Sequence, residues 1–567
     1  LNRTRRKTAA RASLHAAVCL LFALKAAAQT ASPDASAHNE QRLRLQLDEA
    51  RARVAERPDL LTRTQAGAAS PTVFPAETPC FLISSIEWRG AASFPWLPGR
   101  VAIEGHCLGA QGLRVARTAI ARALLDGGYM TTQVVVPEQD LSTGRLLIEI
   151  VAGRIGQIRD TEGRIGSPAT VLPATAGDLL NVRDLDQALE NIRRLPGQRT
   201  TAFDLLPGAE AGQSDIVFRH PADAARVHGV LTADNAGVDA SGRNQLGAVV
   251  SIDSPLHLHD QLIATFSGDA PFRRRTRGST ARSIAWNVPI GYASVSVGAS
   301  EWAARQRIED PEGTYPYASR TRRFEMGMAY VPYRSGHSKG TLRLSLFRRQ
   351  ENGWFDGKAL DVQRRDTTGF DLAFSHLEKF DDALFEFGVG LRGSLPGESR
   401  FPGHVQDHPD WNGRYRVATA RASADLPFEA GGQRFGYRGS LLLQHAPTPL
   451  PSSEYLQLGG RESVRGFDGN TTLFAPGGWL WRNEVAMPIP VAASTSGFGE
   501  AYAALDTGAV SGGGTPRHAR RLAGAAVGLR GNQGRVGYDF SVGTPVTKPE
   551  VLKSRKPFLN FLLTTSF

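Results

Sequence analysis

The sequence predicts a mostly β protein: a C-terminal transmembrane antiparallel β-barrel of about 16 strands, preceded by two small α+β modules. Three observations predict it. The 567 residues are 41% hydrophobic and 21% charged, with a mean hydropathy of −0.25. Helical membrane spans, which need about 20 consecutive apolar residues each, are excluded by such dispersion, whereas strands with alternating faces are not. One pattern occurs twice between residues 80 and 220, at an offset of 69 residues. From about residue 226 to residue 567 the helical period gives way to alternation with turn residues between segments.

Residues 1–28 read as a signal peptide, with Arg3, Arg5, Arg6, Lys7 and Arg11 before the apolar stretch Val18–Leu24 and with Ala26-Ala27-Ala28 before Gln29. That segment supplies 6 of the formal +11 charges, leaving 60 basic against 55 acidic residues in the remainder. Outside it no run of lysine and arginine suits nucleic acid, which is not an expected partner. Export leaves Cys80 and Cys107 in an oxidising compartment, where they are expected to form a disulfide. Residues 29–75 form a linker. Within it, 40–56 carry Leu43, Leu47, Ala50 and Val54 at helical spacing, which reads as a solvated charged helix.

The first module spans 76–153. A strand over 81–88 leads to a helix with Leu113, Ala116, Ile120 and Leu124 on one stripe, stopped by Gly127-Gly128 and followed by strands near 130–136 and 145–151. The second spans 154–222. Asn181 caps a helix carrying Val182, Leu185, Leu189 and Ile192, Pro196-Gly197 stops it, and strands near 199–206 and 214–219 follow. Thr131-Thr132 and Pro137 recur as Thr200-Thr201 and Pro207, and Gly144 as Gly212 in the last turn, so two tandem β-α-β-β units are expected.

The barrel spans 223–567. Leu342, Leu344 and Leu346 alternate with Arg343, Ser345 and Phe347, and Phe385, Phe387, Val389 and Leu391 alternate with Glu386, Gly388, Gly390 and Arg392. At about 20 residues per strand with its connection, the region holds about sixteen, an even number suited to closure in lipid. The chain ends on Phe567, within a strand whose Leu559, Phe561, Leu563 and Thr565 share its face. Phe567 is the expected membrane-insertion signal.

The stretch Leu458-Gly459-Gly460-Arg461-Glu462-Ser463-Val464-Arg465-Gly466-Phe467 resembles the signature of outer-membrane transporters of two-partner secretion. That haemolysin/filamentous-haemagglutinin transporter family belongs to the superfamily of barrel-assembly insertases. Cys107-Leu108-Gly109, Pro137-Glu138-Gln139-Asp140-Leu141 and Gly144-Arg145-Leu146 are similar to its first POTRA (polypeptide-transport-associated) module, and Asn181 through Leu195 with Gly212-Gln213-Ser214 to its second. The resemblance implies that the loop bearing Gly459, Gly460, Val464, Arg465, Gly466 and Phe467 folds into the lumen, where its arginine meets a wall aspartate, and that the helix over 40–56 is either a plug for the barrel or part of the linker. On the strand 498–508, Phe498, Glu500, Tyr502, Ala504 and Asp506 share the face that must point inward, which makes Asp506 the expected partner. Arg482 and Glu484 share a face two strand positions apart and are expected to solvate the channel.

The implied function is export of one large unfolded exoprotein (an adhesin, haemolysin or contact-dependent toxin) across the outer membrane, with the modules in the periplasm. The implied contacts are the exoprotein, outer-membrane lipid and, during biogenesis, the barrel-assembly machinery. An assembly insertase is the alternative within the superfamily, although five modules would suit it better than two. A passive porin is the alternative from another class, and it would lack modules. Nucleophile-elbow, phosphate-loop, zinc-helix and Cys-x-x-Cys signatures are missing from the sequence, so no catalytic residue or cofactor is expected. His257 and His259 beside Asp260, and His404 with His408, lack third and fourth ligands in the sequence pattern. They read as turn and loop histidines rather than metal sites.

Overall fold

The computed structural model describes residues 73–567 apart from 161–164, 271–275, 312, 396–407, 409–410, 471, 490–496, 513–519, 551, 553 and 555–556. The expected signal peptide, the 40–56 helix and His404 lie outside the described residues.

In the first module the helix Ala110–Asp126 turns Ala116, Ile120 and Leu124 onto a three-stranded sheet. Ser85–Arg89 there pairs parallel with Arg145–Val151, and Gln133–Val135 pairs antiparallel on its other side. The strand expected over 81–88 is divided. Ile83 turns fully inward and exchanges backbone bonds with Gly105 and His106, so Phe81–Leu82 pairs with Cys107–Leu108 in a separate ribbon. The ribbon carries the Cys80–Cys107 disulfide, with Cα atoms 5.4 Å apart. Gly109 at the helix N-cap has no side chain to offer. Glu77 supplies the cap instead, accepting from the N–H groups of Gly109 and Gly112 at 2.7 Å and of Gln111 at 2.9 Å. Cys107→Ser is expected to lower the stability of this module by about 3 kcal/mol, the chain-entropy contribution of a loop of this size. Urea unfolding of the oxidised chain and the variant measures it. Mass spectrometry of non-reduced peptides that finds both thiols free would contradict the pairing.

The second module repeats the plan. Asn181 accepts from the Arg183 N–H and opens the helix Val182–Arg193. Leu185, Leu189 and Ile192 pack on Ile155, Ile216 and Phe218 of a sheet ordered Arg154–Asp160, Gln213–Arg219, Ala202–Pro207. Arg154–Asp160 completes the β-α-β-β unit. Its run of Arg, Ile, Gly, Gln, Ile has too little alternation to reveal a strand.

Sixteen strands, Val227–Asp234 through Phe558–Ser566, close the barrel, with a two-residue extension Lys358–Ala359 paired to the end of Ser338–Phe355. The first and last strands meet from Leu562↔Asp234 to Ser566↔Val230, and Phe567 and Gly229 exchange both backbone bonds at the seam. No sheet edge is left for lipid. Leu342, Leu344, Leu346, Phe387 and Val389 point outward and are exposed, while Phe347 on the opposite parity is buried inside. Among the described residues no helix is long and apolar enough to cross a membrane, and the strands do so instead.

The polar face of the second module's helix meets the short turns at the barrel's near end. Arg194 donates to Asn287 Oδ1 at 2.6 Å and to the His259 carbonyl at 2.5 Å, and Asn191 donates to the Gly291 carbonyl at 2.8 Å. Glu190 pairs with Arg334 and Lys339, each at 2.7 Å, and Tyr292 donates to Asp184 at 2.7 Å. Burial lowers the Arg194 guanidinium to about 10 and the His259 imidazole to about 4. His257, by contrast, is exposed on the same turn. The two histidines therefore do not converge, and among the described residues no group of three His, Cys, Asp or Glu side chains is arranged to hold a metal ion.

Candidate functional site

The longest described excursion between barrel strands joins Gln433–His445 to Gly477–Pro488, and it turns into the lumen. It contains a short ladder, Leu456–Leu458 against Leu473–Ala475, and the apex between these holds the glycine-rich motif. Val464, Phe467 and Leu458 are buried with Leu480, Val510 and Leu522 of the wall, so the loop carries a small apolar core of its own. This adds an apolar anchor to the arginine–aspartate contact that the family resemblance implies.

At the apex the backbone presses against the wall. Gly466 has φ +103°, open to glycine at little cost, and a Cβ there would stand 2.5 Å from the Thr544 carbonyl oxygen. Gly524, paired opposite Asp506, leaves the gap into which the Arg465 carbonyl fits; a Cβ on it would lie 1.9 Å from that oxygen.

Arg465 is 9% exposed and Asp506 is fully buried. The Arg465 Nε donates to Asp506 Oδ2 at 2.7 Å, its Nη2 to Oδ1 at 2.9 Å, and its backbone N–H to Oδ2 at 2.9 Å. The fork is bidentate and fixes both the side chain and the backbone of the loop. Asn483 N–H adds a further bond to Asp506 at 3.2 Å. Sequence parity alone had placed Asp506 on the inward face, and the structure brings the two residues together.

Glu484 holds a larger part than solvating the channel. It accepts from Arg465 Nη1 and Arg530 Nη2 and pairs with Arg438 Nη1 at 3.2 Å. Glu500 joins Arg438 at 2.9 Å and also pairs with Arg530, whose guanidinium lies 4.7 Å from the Tyr502 ring centroid. Arg465, Arg438 and Arg530 thus face Asp506, Glu484 and Glu500 in one balanced network. Arg482 remains at its margin, its Nε 4.0 Å from Asp506. The sequence places Asp506, Glu500, Glu484 and Arg482 towards the lumen and assigns no face to Arg438 or Arg530. It does not show the stagger that brings Arg438 and Arg530, on different strands, to the same height.

A second anchor escaped the sequence reading. Glu454, 5% exposed at the start of the loop, accepts from Arg349 at 2.8 Å and from Arg392 at 3.2 Å on other strands of the wall. A lone glutamate in a loop gives no sequence signal of this kind. The loop is therefore tied across the lumen at two charged points with an apolar cluster between them. Such a crossbar can hold a wide barrel closed, and it can release when its buried ion pairs are exchanged for others.

The family whose model describes haemolysin secretion/activation protein ShlB/FhaC/HecB matches residues 212–531, which contain both halves of this lock. The chain belongs to that family. The ShlB-type POTRA domain matches residues 81–153, and a further POTRA domain matches 154–207. The chain is 30% identical to an outer membrane transporter CdiB of Escherichia coli over 559 residues, covering 95% of this chain and 91% of that one. It is 29% identical to outer membrane transporter CdiB-2 of Burkholderia pseudomallei (strain 1026b), covering 87% of this chain and 88% of that one. The solved structure of CdiB from Escherichia coli superposes with a TM-score of 0.82 at 26% identity, over 94% of this chain and 99% of that one.

As a member of the ShlB/FhaC/HecB family the chain is an outer-membrane transporter of two-partner secretion, with its POTRA modules in the periplasm. The module end of the barrel is accordingly the periplasmic end. Family membership favours the exporter over both the assembly insertase and the passive porin. A secretion pore is not an enzyme class, and the family implies an exoprotein partner.

Proposed function

We propose that the barrel exports one large unfolded exoprotein, that the two POTRA modules capture it in the periplasm, and that the Arg465 loop is the internal gate. The burial of Arg465 against Asp506 and Glu484 within the lumen is the observation that carries this reading. Exposed strand edges in the modules suit capture of an extended chain by strand addition, where backbone bonds give affinity independent of sequence. Export runs without nucleotide hydrolysis by this chain, and folding outside makes the movement one-way. Gly459, Gly460, Val464, Gly466 and Phe467 shape the gate, the Cys80–Cys107 disulfide holds the first module's ribbon, and Phe567 at the closing seam directs insertion by the barrel-assembly machinery.

Photo-crosslinking tests the path. A crosslinking residue at Thr419 or Ser345, on the lumen face, is expected to trap the partner in transit, whereas one at Leu344 or Leu443, on the lipid face, is not. Equal capture from both faces, or none from the lumen, would overturn the proposal.

A further inference from the structure

The lipid face of strands Gly278–Ile290, Ala293–Asp310, Gly313–Arg334 and Ser338–Phe355 carries a groove of about 590 Å³ whose two ends differ in chemistry. Strand register arranges its walls in rows. Arg282, Glu301, Arg322 and Gln350 lie side by side in one row. The next row towards the periplasm is Ile284, Ala299, Phe324 and Arg348. Ala299 is the small residue between two large apolar ones, each 50% exposed, and this makes the hollow.

The height of the groove in the membrane follows from the strand. Arg334 at the periplasmic end touches the second module, and Arg322 lies twelve residues further along Gly313–Arg334. At about 3.3 Å per residue and a tilt of about 40°, those twelve residues rise about 30 Å. The apolar band of such a barrel is about 25 Å tall, so the arginine row stands at its outer rim. Met326, Met328 and Tyr330 continue the apolar surface below it.

Arg282 and Arg322 both pair with Glu301, at 2.7 and 2.6 Å, and Arg348 forks onto Asp366 at 3.0 and 2.8 Å. These contacts hold the guanidinium groups in place, yet their side chains remain 69%, 57% and 54% exposed. With Arg320 one step further out on the same face, four arginines stand against two acids. Five donors in a planar fork let each arginine bind a carboxylate and still present N–H groups to a phosphate.

We propose that this groove binds a phosphorylated lipid of the outer leaflet, with the phosphate on Arg282, Arg322 and Arg348 and an acyl chain along Ile284, Ala299 and Phe324. A free phosphate would use only the rim, and an uncharged lipid only the hollow. The lipid-facing position and the paired chemistry call for both parts in one molecule.

Native mass spectrometry of the full-length chain, released from detergent micelles after titration with diphosphorylated lipid A, tests it. One bound lipid is expected, with at least tenfold weaker retention of dephosphorylated lipid A. The triple variant Arg282→Ser, Arg322→Ser, Arg348→Ser is expected to bind lipid A at least tenfold more weakly, whereas Arg434→Ser, at an exposed pair with Glu429, binds as the parent does. Millimolar inorganic phosphate is expected to leave the lipid in place. Equal retention of both lipid forms by the parent chain would overturn the proposal without reference to any variant's folding. So would unchanged binding by the triple variant, and displacement of the lipid by inorganic phosphate would overturn the lipid assignment.

Discussion

Arg465→Ala is expected to reduce surface appearance of the exported partner at least tenfold while the barrel still reaches the outer membrane. The change removes four side-chain contacts and leaves Asp506, fully buried, with the backbone N–H groups of residue 465 and Asn483 and with Arg482 at 4.0 Å as its nearest cation. Stranding a buried charge in this way costs about 3–5 kcal/mol, more than the intact pair contributes. Asp506→Ala is expected to give a similar defect, because it removes the acceptor of both the Arg465 side chain and the loop backbone N–H and leaves the guanidinium on Glu484 and the Asn483 carbonyl alone. The double variant should be little worse than either single, the non-additivity of residues in direct contact. Glu484→Ala should be milder. Arg465 would keep Asp506, while Arg438 and Arg530 would keep Glu500. The barrel should survive all of these changes because its ladder and its lipid face do not depend on the loop. Immunoblots of surface-exposed partner, beside heat-modifiability of the barrel on gels, separate export from folding. Full export by Arg465→Ala, or additive losses in the double variant, would show that Glu454 and the Val464–Phe467 cluster hold the gate without the arginine.

Much of this arrangement was legible in the sequence for one physical reason: side-chain direction in a strand has a period of two. Counting from Phe498 places Asp506 inside without knowledge of any neighbour, and the same rule puts Leu342, Leu344 and Leu346 in lipid. The helix stripes and the Asn181 cap are local in the same sense. What stayed hidden depends on distance across the fold. Glu484 meets Arg530 and Arg438 only once strand stagger is fixed by closure of the whole barrel. Glu454 finds Arg349 105 residues away in sequence, through a loop whose path the sequence does not encode locally. The division of 81–88 into two strands arises from Ile83 turning into the module core, which is a tertiary demand. On the helix Val182–Arg193 the apolar stripe is legible, but a polar stripe of Asp184, Gln187, Asn191 and Arg194 at three- and four-residue spacing carries no local signal that it faces the barrel and not water.

That polar stripe sets the second large expectation: removal of the second module, residues 154–220, abolishes export while the barrel still inserts. The point variant Glu190→Ala with Arg194→Ala should reproduce most of the loss. Arg334, whose side chain is 1% exposed, would lose its ion pair with Glu190, and Lys339 would lose the same carboxylate, which weakens the joint between module and barrel. Losing Arg194 leaves the His259 carbonyl and Asn287 without their donor, a further cost of about 1–3 kcal/mol per buried group. The module itself should stay folded, since Leu185, Leu189 and Ile192 face its own sheet and not the barrel. Docking, not folding, is therefore what the variant removes. Trypsin should then cut between the module and the first barrel strand, at Arg219 or Arg226, in the variant and not in the parent chain. If the cut appears and the partner still reaches the surface normally, a rigid module beside the barrel mouth is not needed for capture. Loss of export with the cut would place the hand-over from module to lumen at this interface.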